Sequence, residues 1–362
     1  MTEHSLISEE SRDCAGSVMS FFRAVWGYIR RDAAILAVGL GIVVIAGAVL
    51  LAKGVQVFQG GEAYLFNIRV MTGILVLFFA SHAIPEMLRA KPKRPLMFLI
   101  STALDSEYRN RVLKGVPIIG CVILFMVVFG IVKSSIPLFT EFAWDSSLIK
   151  LDRALHGGAD PWRLLQPVLG FPLITSALSG VYHLWFMLIF GGTVYFAIYQ
   201  KDADLRRRYF LSYFLIWAVC GMLMAVGFAS VGPCFVNPLL GIHTFDEQMT
   251  YLRAADTHWP VATIEVQETL LGWHRAGNHG FGKGISAMPS MHVALAFLFF
   301  LTMRHVSRRA AYLSGAFFAL ILISSVHLAY HYAVDGYAAI LTTAAIWWLT
   351  KSRPAKGATV AT

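Results

Sequence analysis

In the stretch VHLAYHYAVDG, Val326 to Gly336, His327, His331 and Asp335 fall at four-residue steps where an apolar segment meets a polar one. Residues four apart share one face of a helix, so the spacing predicts an Asp335 carboxylate orienting the His331 imidazole. A carboxylate that keeps one ring nitrogen protonated leaves the other free to attack phosphorus and form a phosphohistidine. A second histidine, His292, stands in GISAMPSMHVA at the mouth of another apolar run. Its imidazole titrates near neutrality and suits protonation of a departing alkoxide, then deprotonation of an incoming hydroxyl. Two histidines and one carboxylate together predict phosphorus chemistry on a lipid. Three metal ligands from His327, His331 and Asp335 are a rival, but HLAYH lacks the glutamate of a hydrolytic HExxH motif. Eight residues of helix would also turn the outer pair apart by about 80 degrees. Proton-carrying histidines of a transporter are a second rival, which predicts helices broken near the bilayer midplane instead of motifs at span ends.

The elements that must position these residues are membrane helices. The chain of 362 residues is 57% hydrophobic and 14% charged, where soluble domains carry about a quarter charged residues. Its net charge of +9 resides in short basic loops between apolar runs, as inside-positive topology requires, and excludes nucleic acid as the partner. The four cysteines show no paired or zinc-knuckle spacing. The N-terminus, with Glu3, Glu9 and Glu10 ahead of Arg12, lacks the pattern of a cleaved signal peptide, so the first span is expected to be retained.

A spanning helix needs about 20 predominantly apolar residues. Eight runs approach that, at roughly 33–52, 66–88, 116–132, 173–199, 209–229, 288–303, 312–330 and 332–350. Every second connection is basic: Arg89 to Lys114 holds seven Lys or Arg, and Arg206, Arg207 and Arg208 are consecutive. This pattern predicts both termini in the cytoplasm and the remaining connections outside. Lys133, Gly232, Pro233, Pro289, Ser290, His292, His331 and Asp335 then all fall at the outer face, and ionisable groups at membrane depth are functional candidates by default. Two long outer connections contain amphipathic pieces, Asp145 to Leu155 and Ile264 to Trp273, expected to lie as surface helices over a site. The expected fold is an all-α polytopic bundle of about eight transmembrane helices. Residues 1–94 form an N-terminal segment with two added spans, and residues 95–362 form a catalytic membrane domain with a six-helix lipid-phosphatase-like core.

GISAMPSMHVALA resembles the second signature, and SSVHLAYHYAVDGYAA the third signature, of the type 2 phosphatidic acid phosphatase superfamily, over roughly Val116 to Trp348. The resemblance implies that His331 is the nucleophile, Asp335 its orienting carboxylate and His292 the general acid, with no metal and no cofactor. The first and third signatures depart from the phosphatase pattern. Ala225, Gly232 and Ser325 stand where the superfamily places a lysine and two arginines. A phosphomonoester carries nearly two charges and rewards an arginine clamp, whereas a phosphodiester carries one, so a thinned cradle favours a diester donor.

The runs GIVKSSIP, FAWDSSLIKLDRALHGGADPW and GPCF, followed by PSMH and HYxxD, are similar to the inositol phosphorylceramide synthase-like, inositolphosphotransferase branch. That likeness implies transfer of a phospho-headgroup from a phospholipid to a lipid alcohol through a phosphohistidine. The alternative is hydrolysis of a lipid phosphate or polyprenyl pyrophosphate by water. Ser290, Lys133, Pro233 and Ser325 are the expected substrate contacts. Arg253, His274, Arg275, His279 and Lys283 are further candidates for stabilising transition-state charge. Tyr182 and His183, within the fourth span, either pack structurally or face the same cavity; Asp145 and Asp152 receive no chemistry, and Asp152 is expected to cap or pair with Arg153 or Arg163. The expected setting is an integral multi-pass protein of a bacterial-type inner membrane, its active site facing the periplasmic or extracellular side.

Overall fold

Within a bilayer no water is available to backbone N–H and C=O groups, so apolar runs satisfy them internally as helices. The computed structural model describes residues 23–57, 61–277 and 282–351, and no strand occurs among them. The chain begins with α1 (Ala33–Ala52), α2 (Gly61–Ala90), α3 (Pro95–Leu104) and α4 (Ser106–Ser134). Two short helices follow, α5 (Asp145–Leu155) and α6 (Pro161–Leu169). The next span joins α7 (Pro172–His183) and α8 (Trp185–Val194) and runs through a π-helical turn to Tyr199. The span after it, α9 (Ala203–Ala218), continues through a second π-turn to Gly227. Three connecting helices, α10 (Pro233–Leu240), α11 (Asp246–His258) and α12 (Ala262–Arg275), lead to α13 (Met291–Met303), α14 (Arg308–His327) and α15 (Ala333–Leu349).

Six described helical stretches are long and apolar enough to cross a membrane, and the protein is a helical membrane bundle. The remaining two expected spans, α13 and α15, have 13 and 17 residues. At about 1.5 Å per residue, α13 covers roughly 20 Å, less than a hydrocarbon core. It is short because the segment before it is irregular and held by neighbours: Ala287 N donates to Ser230 O at 3.0 Å, Met288 N to Ser230 Oγ at 3.1 Å and Ser290 N to Asp335 O at 3.2 Å. Non-helical backbone survives at such depth only when protein surrounds it.

Aromatic pairs between α4 and α9 form much of the core, with Phe125 on Phe214 at 5.1 Å and Phe129 on Trp217 at 4.4 Å between ring centroids. Against them α1 packs at Gly39, where a Cβ would lie 2.7 Å from Cys121 Sγ, so only glycine admits this approach. At the end of the bundle where α1 and α9 begin, Arg206 and Asp32 are each 3% exposed and pair, with Nη2 to Oδ2 at 3.0 Å. Helices α5, α6 and α10 to α12 gather at the opposite end, where α4, α9 and α14 finish and α13 and α15 start. The expected amphipathic pieces are helical, the first as α5 and the second within α12.

Candidate functional site

Between α14 and α15 the link Leu328–Tyr332 carries His331. The histidine therefore precedes a helix instead of sharing one with Asp335: Tyr332 is the N-cap of α15 and Asp335 its third residue. Ala329 has a φ of +60°, the left-handed region that residues with a Cβ seldom adopt, and turns the chain back on itself. Ser325 O then accepts Tyr330 N at 3.2 Å and His331 N at 3.0 Å. With its backbone so fixed, His331 places Nδ1 3.3 Å from Asp335 Oδ2, which also accepts Tyr332 N at 3.1 Å. Such a separation is long for a charge-assisted bond. Asp335 is fully buried and His331 is 7% exposed.

His292 lies on the first turn of α13, whose N-terminus is capped by Ser290 Oγ accepting Val293 N at 3.4 Å. Its ring stacks on Trp185 at 3.9 Å and on Tyr182 at 4.2 Å, and Trp185 Nε1 donates to His292 O at 3.0 Å. The His292 and His331 rings stand 6.2 Å apart between centroids. That spacing admits a phosphorus centre between a nucleophile and a general acid. The residues the sequence proposes as a catalytic trio thus meet in one place.

Two carboxylates that the sequence reading left without chemistry hold this place together. Asp145, at the start of α5, accepts Val231 N at 3.0 Å, Gly232 N at 3.0 Å and the Tyr332 hydroxyl at 2.7 Å. Seven residues on, Asp152 accepts Ala333 N and Val334 N, both at 2.9 Å, and so caps the helix that bears Asp335. Anionic oxygen at a helix N-terminus satisfies orphan donors and complements the dipole. Burial pushes the Asp152 carboxyl up from its ordinary value, opposed by the Ala333 and Val334 hydrogen bonds. Asp152 pairs with neither Arg153 nor Arg163, which both pair with Asp160, at 2.7 and 3.7 Å. A signal for both residues was present in DSSLIKLD. The buried face of α5 is Asp145, Leu148, Ile149 and Asp152, so acids occupy positions where an amphipathic stripe calls for apolar side chains.

The remaining candidates separate into those near the histidines and those elsewhere. Pro233 opens α10 behind Gly232, whose φ is +89° and whose Cβ would meet Tyr330 O at 2.7 Å; Cys234 N donates to Ala329 O at 2.9 Å. This first-signature turn braces the His331 link through backbone alone. Lys133 ends α4 with its carbonyl packed against Gly284. Ser325 turns its hydroxyl to Leu322 O at 2.8 Å and serves the link through its carbonyl. His327 Nε2 meets Thr175 Oγ1 at 2.9 Å, and no described group of three His, Cys, Asp or Glu residues is placed to share a metal ion. Arg253 and Arg275 line a cavity of about 290 Å³ beside α10, with Pro233, Gln267 and Glu268, whose walls include neither His331 nor His292. Lys283 Nζ sits over Trp273 at 5.6 Å and the His274 ring faces Phe142 at 6.1 Å. His279 lies outside the described residues.

Gln248 and Gln267 were not singled out from sequence. Gln248 Nε2 donates to Val326 O at 2.8 Å and Gln267 Nε2 to Leu328 O at 2.9 Å, tying α11 and α12 to the chain just before His331. No spacing in α11 or α12 announces these contacts, because their partners are carbonyls remote in sequence. With this geometry in place, comparison with known proteins shows that residues 146–349 fit the family model described as the PAP2 superfamily. No curated protein and no solved structure matches the chain.

Proposed function

This chain belongs to the PAP2 superfamily, a kinship that supports a membrane-embedded lipid phosphoesterase, and from that premise we propose a phosphohistidine enzyme that transfers a phospho-headgroup to a lipid alcohol. One observation carries the reading: the His331 and Asp335 pair at 3.3 Å faces His292 across 6.2 Å between ring centroids. Asp335 keeps His331 Nδ1 protonated, so the Nε2 lone pair attacks phosphorus as the bond to the donor's alkoxide breaks. His292 gives that alkoxide its proton. In the second half the acceptor hydroxyl yields its proton to His292, attacks phosphorus and releases neutral His331.

The thinned cradle supports a diester donor. Ala225, Gly232 and Ser325 occupy the three cation positions, and the Ser325 hydroxyl is turned back to Leu322 O. Ser290, Lys133 and Pro233, at the ends of three elements around the histidines, are the substrate contacts we favour. Hydrolysis of a lipid phosphate or polyprenyl pyrophosphate is the second reading, favoured by the superfamily's phosphatase character. The basic loops support a site on the outer side of the membrane, since Arg206, Arg207 and Arg208 lie at the opposite end of the bundle from His331. In this reading α1 and α2 are an addition to a catalytic domain that spans residues 95–362.

The test uses purified protein in detergent with labelled phosphatidic acid, polyprenyl pyrophosphate, phosphatidylinositol and phosphatidylglycerol, each with and without ceramide or diacylglycerol. A new phospholipid that appears only when diester and acceptor are both present is the expected result. Inorganic phosphate released from a monoester or pyrophosphate regardless of acceptor would establish the phosphatase reading instead. His331→Ala should abolish turnover while the protein stays folded, and wild-type activity in that variant would remove the nucleophile assignment.

A further inference from the structure

The stack around His292 continues on its Tyr182 side, where the Tyr182 ring lies parallel to that of Tyr330 at 5.2 Å. Most polar tips nearby are satisfied within the protein. Tyr330 donates its hydroxyl to Thr263 O at 3.3 Å, Trp185 Nε1 donates to His292 O, and His183 Nδ1 meets Ser179 O at 2.8 Å. Tyr182 differs. It is 3% exposed, and its hydroxyl has no hydrogen-bond partner among the described residues. Its ring stacks on both His292 and Tyr330, the residue that precedes His331, so the side chain is buried against the two segments that carry the histidines. Asp335 Oδ1 is likewise unpartnered among the described residues. Folded proteins leave few buried polar atoms unsatisfied, and those they leave tend to await a ligand or water.

We propose that Tyr182 is a further catalytic residue, whose hydroxyl donates a hydrogen bond to a non-bridging oxygen of the phosphorus group held between His292 and His331. This rests on the reading of His331 as nucleophile. A neutral donor there takes over part of the work of the cations absent at Ala225, Gly232 and Ser325, and it does so without demanding a doubly charged substrate. A fixed donor aimed at developing negative charge acts mainly on the transition state. The residue is held for this by its ring: stacking on His292 fixes the height of the hydroxyl relative to the general acid.

Tyr182→Phe in the full-length protein removes only the hydroxyl and keeps the ring. Orthovanadate, a mimic of the pentacoordinate phosphoryl group, is the binding probe, read by thermal shift in detergent; turnover is read in the lipid panel above. Loss of one such donor typically lowers turnover about 10²- to 10³-fold. We expect a fall of that order in kcat, KM for the donor lipid within about threefold, unchanged thermal stability without vanadate, and vanadate affinity weakened by a similar factor. Wild-type kcat and vanadate affinity in Tyr182→Phe, beside an inactive His331→Ala, would overturn the Tyr182 role and leave the nucleophile standing. Full activity in His331→Ala would instead remove the reading on which it rests, and absence of vanadate binding to the wild-type protein would overturn both. Should Tyr182→Phe fail to fold, 3-fluorotyrosine incorporated at position 182 retains shape and makes the phenol more acidic; an unchanged kcat there would overturn the proposal.

Discussion

Both ends of the helical bundle bury carboxylates, and they compensate them in opposite ways. Where α1 and α9 begin, both Asp32 oxygens are taken by Arg206, with Arg31 adding a bond at 3.0 Å. Where α14 meets α15, Asp335 has an imidazole and one backbone N–H, and its second oxygen has no partner among the described residues. Asp145 and Asp152 at the same end accept only N–H groups and a tyrosine hydroxyl. One end therefore cancels its charge in the resting state and works as a staple. The other leaves its carboxylates without an arginine partner beside two histidines, so in the reaction proposed above positive charge forming on them is met by groups already in place. Burial alone does not distinguish these roles; the chemical type of the partner does.

The sharpest way to break this contrast is Asp335→Asn. The amide keeps the size and one acceptor but loses the charge and the preference for a protonated Nδ1, a change worth about 10⁴-fold where the same pair serves a serine nucleophile. Turnover should fall on the order of 10³- to 10⁴-fold with vanadate-free thermal stability little changed. A variant that turns over normally would mean that Asp335 is a staple like Asp32.

Arg206→Ala probes the opposite end and should behave in the reverse sense. It leaves Asp32 buried with only the half-exposed Arg31 as a partner, and breaking one side of a buried pair costs about 3–5 kcal/mol. Denaturation in detergent should register that loss, while kcat per folded molecule stays near the wild-type value. A fall in kcat without loss of stability would show that the two ends are coupled through α9, and the division of labour would fail.

How much of this was legible beforehand follows from the range of the interactions. Apolar run length is a local property, and the eight expected segments correspond to six long helical spans and the two shorter helices α13 and α15. The His331 and Asp335 spacing was also visible, but a helix was the wrong vehicle for it: the pair spans a helix start, because Ser325 O and the left-handed Ala329 end α14 before His331. Pairing between α5 and the ends of distant helices could not be read from periodicity. Asp152 meets Ala333 N and Val334 N across a separation of more than 180 residues, and nothing in either stretch names the other. The acidic residues on the apolar stripe of α5 said only that something there must donate to them. Gln248 and Gln267 lacked even that clue, since a polar residue on a surface helix is unremarked until its carbonyl partner is known.

A third carboxylate sets the lower bound of the contrast. Asp246 opens α11 at the rim of the site end, accepts Asn237 Nδ2 at 2.6 Å and meets His243 Nδ1 at 2.7 Å, yet its side chain is half-exposed. The His243 hydrogen bond, followed by that of Asn237, holds its carboxyl below the ordinary value of 3.8. A depressed carboxyl stabilises the fold above its unfolded value and loses that contribution as pH falls through the folded one. Asp246→Asn should therefore melt slightly below the wild type at neutral pH, and the two melting curves should converge as pH drops from about 5 toward 2. Added salt should shrink the neutral-pH difference, because exposed pairs are screened. A difference that persisted at pH 2 would mean that Asp246 acts through packing, and a loss of stability as large as that of Arg206→Ala would show that exposure does not set the strength of these pairs.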